Sequence, residues 1–209
     1  PDQPPSEAQI IFPFASSYEF FDKMGVTALP FGHSYMGGQM SIHSKYEDIP
    51  GYFDSLVARH GEARTEAILG QNRHNTTIYP SFTIKDAIQA LRVVRPIAVD
   101  RTLIETYHLR LDGAPAELLH RTITYSRLIN SPASMVGPDD WDCYTRMQEA
   151  LTSPGLDWVY LGRYLGEETA EGAARRAPGT SDLSQRNQFS AWLDYMCEET
   201  GSHSAEGAR

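Results

Sequence analysis

The stretch from His74 to Leu111 constrains the fold of this chain more than any other. It holds three runs rich in β-branched and aromatic residues, joined by connections too short for a crossover. His74–Ile84, which contains Asn75-Thr-Thr-Ile-Tyr-Pro, is predicted to be a strand interrupted or ended at Pro80. Ile88–Val99 is a second strand. A turn at Asp100-Arg101 leads into a third, Thr102–Leu111, whose alternation pairs it back. Together they predict an antiparallel meander with one face to bury. Arg92 and Arg95 stand three apart on the second run, so they point to opposite faces. A solvated or edge role suits both, and one of them can turn inward to meet a carboxylate.

The segments around this meander read mostly as helix. Ile49–His60 and Glu62–Leu69 carry helical periodicity on either side of Gly61, with Tyr52, Phe53, Leu56 and Val57 on one face. Ala114–Asn130 is a long helix with Leu118, Leu119, Ile123, Leu128 and Ile129 as its apolar residues. Leu183–Cys197 is a last amphipathic helix, with Phe189, Trp192, Leu193 and Met196 as its apolar face. The glycines of Val26–Ile42 suggest an irregular strand where backbone approaches something closely. Tyr18–Met24 is aromatic-rich without a decisive period. Gln9–Phe14 reads as a short strand or cavity wall, and Leu156–Tyr164 as a strand or packed loop. Gly166–Ser181 reads as a surface linker. Residues 1–8 are a polar, proline-rich lead-in, and Gly201–Arg209 is a polar tail expected to be disordered. The expected organisation is one α+β domain over 1–200 and a tail over 201–209.

At 209 residues the chain is long enough for a sizeable core, and 41% hydrophobic with 22% charged residues is ordinary for a globular protein. The net charge of −9 argues against nucleic acid or an anionic membrane surface as a partner. No apolar run approaches the ~18 residues a membrane helix needs. Cys143 and Cys197 form no Cys-x-x-Cys pair, so these residues alone hold neither a zinc ribbon nor an iron–sulfur cluster. A reducing cytoplasm is the default expectation. Phosphate loops, Gly-x-Ser-x-Gly elbows and His-Glu-x-x-His helices are missing from the sequence. The chain begins with Pro1, which reads as a processed product or a piece of a longer chain.

Ser131–Leu151 is the stretch that carries candidate chemistry. Pro138 suggests a turn, after which Asp139 is a natural helix N-cap and Asp140 and Asp142 fall in the first turn. Tyr144, Met147 and Leu151 recur at helical spacing and predict an inward stripe beside Asp140. Capping alone is the plain reading of the two carboxylates. Among the histidines, His33 lies in Gly32-His33 with no second histidine at ligand spacing, so a hydrogen-bonded wall residue is favoured over a metal ligand; His43, ten residues on, does not complete a pair. Glu105-Thr-Tyr107-His108 has glycine, not histidine, five residues past His108, and His108 is read as a strand residue.

Three segments in order carry a resemblance. They are Arg73-His-Asn-Thr-Thr-Ile-Tyr-Pro80 followed by Arg92-Val-Val-Arg-Pro-Ile-Ala-Val-Asp-Arg-Thr102, then Pro138-Asp-Asp140 with Gln148, then Arg186-Asn-Gln-Phe189 with Trp192 and Met196. The chain resembles the C-terminal part of the catalytic domain of Rieske-type aromatic-ring-hydroxylating dioxygenase large (α) subunits, nearest to the benzoate and toluate branch. The resemblance implies a helix-grip fold, a curved antiparallel sheet packed on helices. It implies that Asp140 is the carboxylate ligand of a mononuclear non-haem Fe(II). The two histidine ligands are expected upstream and not in this chain, and the Rieske domain with its [2Fe-2S] cluster is likewise absent. Non-haem Fe(II) oxygenases of this type use two histidines and one carboxylate, so the chain alone is expected to bind iron weakly and to be inactive.

The resemblance further implies an aromatic substrate and O2, cis-dihydroxylation of the ring in aromatic compound catabolism, and a ferredoxin or reductase as electron donor. It also implies a homo-oligomer, often a trimer, with or without a small β subunit. Asn75, Arg73, Phe82, Lys85, Ile88, Asn130, Met135, Val136 and Trp141 are the candidates for the pocket or its rim. Asn75 is as well explained as a strand-end residue bonding backbone, and Lys85 either meets a substrate carboxylate or faces water. Asp140 is expected to be buried at the mouth of a cavity beside the strand of Asn75, with no basic partner. The alternative function is a non-enzymatic helix-grip module binding a hydrophobic ligand between sheet and helices.

Overall fold

The computed structural model describes residues 17–38, 49–85, 88–134, 136–155 and 157–197. Gln9–Phe14, His43, Met135 and the 201–209 tail lie outside the described residues. Helix α1 (Tyr18–Met24) leads into β1 (Val26–Ala28), a 3-10 turn at Pro30–Gly32 and β2 (Ser34–Gly38). Helices α2 (Tyr52–His60) and α3 (Glu62–Leu69) follow, broken at Gly61. Strands β3 (Asn72–Ile78), β4 (Phe82–Lys85), β5 (Ala90–Ala98) and β6 (Arg101–His108) form the meander, and helices α4 (Ala116–Asn130) and α5 (Val136–Leu151) come next. The described chain closes with β7 (Thr169–Glu171), β8 (Ala174–Ala177) and α6 (Leu183–Cys197).

The eight described strands join one open antiparallel sheet in the order β6-β5-β4-β3-β2-β1-β8-β7. This is the expected α+β architecture. The β3–β4 turn falls at Pro80, where the sequence predicts the break, and Pro96 lies near the far end of β5. The hairpin of β7 and β8 corrects the linker reading of 166–181. Glu171 pairs with Ala174, leaving the two-residue turn Gly172-Ala173, and Gly172 takes the positive φ of 59° that such a turn requires. β8 then adds to β1.

Directly opposed residues in antiparallel strands share a face, so the register defines what each side of the sheet presents. One row runs Ala28, Ser34, Thr77, Thr83, Arg92 and Thr106. Beside it, on the same side, Val26 faces Met36, and Lys85 faces Ala90. This inner face is the one the helices cover. Val26, Ala28 and Leu183 of α6 make one buried cluster, with Met36 and Ala177 packed against it. Ile88, Ala90, Tyr125 and Ile129 make a second, which joins β5 to α4 and takes Val136 of α5. A third, Ile49, Tyr52 and Leu118, ties α2 to α4.

Helix α6 has the predicted bounds but the opposite buried face. Leu183, Asn187 and Ala191, four residues apart, point inward, while Phe189, Trp192, Leu193 and Met196 are exposed. Asn187 is buried because its amide nitrogen donates to the carbonyls of Leu29 and His33, at 2.9 and 3.0 Å. The chain before α6 is locked by two polar centres. Asp22 accepts bonds from the hydroxyls of Thr180 and Tyr164, and the Thr180 bond above all holds its carboxyl below the usual range. Arg186 pairs with the largely buried Glu168 and also donates to the Leu161 carbonyl at 2.7 Å. The stretch 158–162 itself is irregular, with Trp158, Val159 and Tyr160 exposed.

Candidate functional site

The candidate site lies where β4 and β5 meet the junction of α4 and α5. Helix α5 starts at Val136, earlier than Pro138 suggests, and the capping oxygen is not Asp139. Ser134 Oγ accepts from the backbone N–H groups of Val136 and Gly137, at 3.1 and 3.2 Å. Pro138 is tolerated because a first-turn residue needs no intrahelical N–H donor. Gly137 lets the helix start rest on the end of α4, since a Cβ there would sit 2.7 Å from the Ile129 carbonyl oxygen. Asp140 is therefore one turn into the helix, in line with Val136 and Tyr144 at four-residue steps.

Only the first of those three is well covered. Asp140 is exposed, which corrects the expectation of a buried carboxylate. It also has a basic neighbour, Lys85, whose ammonium it acts on. Trp141, Tyr144, Met147 and Leu151 are all exposed, so the predicted inward stripe is open among the described residues. The physical reason is that α5 touches the core through its first turn, at Val136 and Gly137.

Lys85 is the most unusual side chain of this region, at 8% exposure. Burial, then the nearby charge of Arg92, lower its pKa to about 8, with Asp140 opposing. Arg92, diagonal to it on the next strand, donates from Nη2 to Asn130 Oδ1 at 3.1 Å. Its Nε is a buried atom with no hydrogen-bond partner among the described residues, as is Nε2 of His108. Tyr125 lines the same side from α4, and burial raises its phenol well above the usual value. Tyr144 is raised too, by desolvation first and by Asp140 second. His74 stands at the β2–β3 bulge, between the paired residues Arg73 and Asn75. Its pKa is lowered to about 4 by burial and then by Lys85.

The other sequence candidates divide between the two faces. Asn75 is half-buried on the inner face, in register with Met36, and Ile88, Asn130 and Val136 sit around the Lys85–Arg92 pair. Arg73 and Phe82 lie on the outer face, where Arg73 stacks 4.3 Å over the ring of Tyr35. Trp141 is on the exposed part of α5. Tyr125, Tyr144 and His74 were not among the candidates, and Arg92 was read only as one of two arginines of which one can turn inward. The signal for Arg92 was available in the β4–β5 register, which places it on the face of Lys85. His33 behaves as a wall residue, its Nδ1 accepting the Tyr79 backbone N–H at 3.0 Å. No cluster of three His, Cys, Asp or Glu among the described residues could hold a metal ion, so they do not make an iron site by themselves.

This fold, an open antiparallel sheet with helices packed on one face, is shared with naphthalene 1,2-dioxygenase chains. Naphthalene 1,2-dioxygenase with indole in its active site superposes with a TM-score of 0.63 at 16% identity, over 83% of this chain and 42% of that one. The Rhodococcus sp. naphthalene 1,2-dioxygenase bound to indole superposes with 0.69 at 13% identity, over 93% and 50%. In sequence, the chain resembles dioxygenase large subunits. It is 31% identical to toluate 1,2-dioxygenase subunit alpha of Pseudomonas putida over 110 residues, and 32% identical to the 2-halobenzoate 1,2-dioxygenase large subunit of Burkholderia cepacia over 111. These alignments cover 52% and 53% of this chain but 24% of each relative. No family model matches the chain.

Proposed function

We propose that the chain is part of the catalytic domain of a non-haem iron aromatic-ring dioxygenase acting on aromatic acids in aromatic compound catabolism. The observation that supports this most is the sequence likeness to the toluate and 2-halobenzoate large subunits, together with the shared fold. In this reading the described residues supply the sheet, the helices and one carboxylate of the site. Asp140 is the metal ligand in this reading, completed by two histidines from elsewhere in the whole protein, and the iron supplies O2 activation. A Rieske cluster and a ferredoxin or reductase deliver electrons in the same reading, and the protein works as an oligomer of α subunits in the cytoplasm.

What this chain's own residues do is position and polarise. Ser134 and Gly137 fix the start of α5 and so the height of Asp140 above β4. Tyr144, Tyr125 and Ile88 offer apolar and aromatic walls, and Lys85 and Arg92 give the inner face a positive charge. The test is the protein at its full natural length. With reductant, O2 and an aromatic acid it should form a cis-dihydrodiol. Asp140→Ala should abolish iron occupancy, measured by metal analysis, together with turnover, whereas Asp139→Ala should retain iron. Full iron in the Asp140 variant would leave the aspartate with a structural role only.

A further inference from the structure

We infer that Lys85 and Arg92 are the specificity-determining residues of this site, holding the carboxylate of an aromatic acid against the inner face of the sheet. The inference rests on the ring-dioxygenase reading above and deepens it. Four observations carry it. The register places both side chains on the face covered by α4 and α5, one strand apart and diagonal to each other. Lys85 is buried, and a buried ammonium needs a counter-charge. Arg92 makes no ion pair among the described residues. It donates to the neutral Asn130 amide and keeps a buried Nε with no described partner.

The charge count points the same way. Among the described residues two cations face this corner, and one carboxylate, Asp140, acts on Lys85. Among the described residues Arg92 is left without a counter-charge, and a ligand carboxylate matches it where a neutral ring would not. A guanidinium presents a fork of donors that fits a carboxylate, while an ammonium adds a point charge. Asn130 holds Nη2 of the fork in place, so the remaining donors are oriented in advance. The aromatic body of the acid then extends toward the partly buried Val136, with the exposed Tyr144 at the open side.

The experiment compares benzoate with benzamide, its uncharged isostere, by isothermal titration on the protein at its full natural length. Benzoate should bind at least about tenfold more tightly, a difference of about 1.4 kcal/mol. Lys85→Met and Arg92→Gln should each remove most of that preference by weakening benzoate more than benzamide, while Lys85→Arg should keep it. If Lys85→Met fails to fold, Arg92→Gln at its half-buried position and Lys85→Arg still decide. Equal binding of acid and amide by the unsubstituted protein overturns the inference and spares the ring-dioxygenase reading; so does a preference that survives both charge-removing substitutions. Failure of both ligands to bind overturns the inference and the aromatic-substrate reading together.

Discussion

Asn130 Oδ1 accepts a hydrogen bond from Arg92 Nη2 at 3.1 Å, and through it the last turn of α4 holds the first part of β5. The same side chain donates from Nδ2 to Ser126 Oγ at 3.1 Å, so the amide is oriented by its own helix before it meets the strand. Asn130→Ala should lower stability by about 0.5–1.5 kcal/mol, the usual worth of one such bond. Urea unfolding measures the loss. An unchanged midpoint would mean that the exposed amide is replaced by water without cost.

His74 gives the protein a predictable response to mild acid. Its folded pKa is about 4 against 6.5 for the unfolded side chain, because burial and Lys85 disfavour the imidazolium. Between those values the unfolded chain binds more protons, so stability rises with pH across that window. The contribution is fully present above about pH 6.5 and lost as pH falls toward 4, amounting to about 3 kcal/mol at most. Unfolding free energies at pH 7 and pH 4.5 should differ less in His74→Gln than in the unsubstituted protein. An identical pH slope in both would remove His74 as the source.

The Glu168–Arg186 pair should be costly to break. Both side chains are largely buried, at 14% and 17% exposure. Removing one partner strands the other charge at a part-buried site, so Glu168→Ala should destabilise by about 1–3 kcal/mol. Replacing both with apolar residues of similar size should cost much less than the single change. Thermal melting of the three variants reads this out, and additive losses would contradict it.

Gly137 should tolerate no side chain. A Cβ there meets the Ile129 carbonyl oxygen at 2.7 Å, backbone rather than a movable side chain. Gly137→Ala should therefore cost about 1–3 kcal/mol by overpacking. In the protein at its full natural length it should also weaken iron binding, because α5 must shift to relieve the contact. Gly113→Ala, where a Cβ meets nothing within 4 Å but φ is +79°, is the control for backbone strain alone.

Strands were legible in this sequence wherever side chains alternate over several residues, as in Leu91 to Val94 and Leu103 to His108. The β7–β8 hairpin was not, because Thr169-Ala-Glu-Gly-Ala-Ala-Arg-Arg-Ala177 has little β propensity and only Gly172 marks a turn. Its pairing comes from the free edge of β1, which no local pattern reveals. The apolar face of α6 misled because the helix buries a leucine, an alanine and a bonded asparagine. The start of α5 was displaced because Ser134 caps it and Pro138 fits its first turn. Lys85 was legible as a residue that either meets a substrate carboxylate or faces water. That Arg92 shares its face needs the register, which depends on where each turn falls.

The close seat of Gly137 on Ile129 also makes α5 a lever with its fulcrum at one end. Asp140 is three residues from that point, about 4.5 Å along the axis, and Leu151 is fourteen residues away, about 21 Å. A swing that carries the far end by several ångströms moves the carboxylate by roughly a fifth as much. The outer turns, with Met147 and Leu151 open, can therefore settle against whatever they meet while Asp140 keeps its place above Lys85.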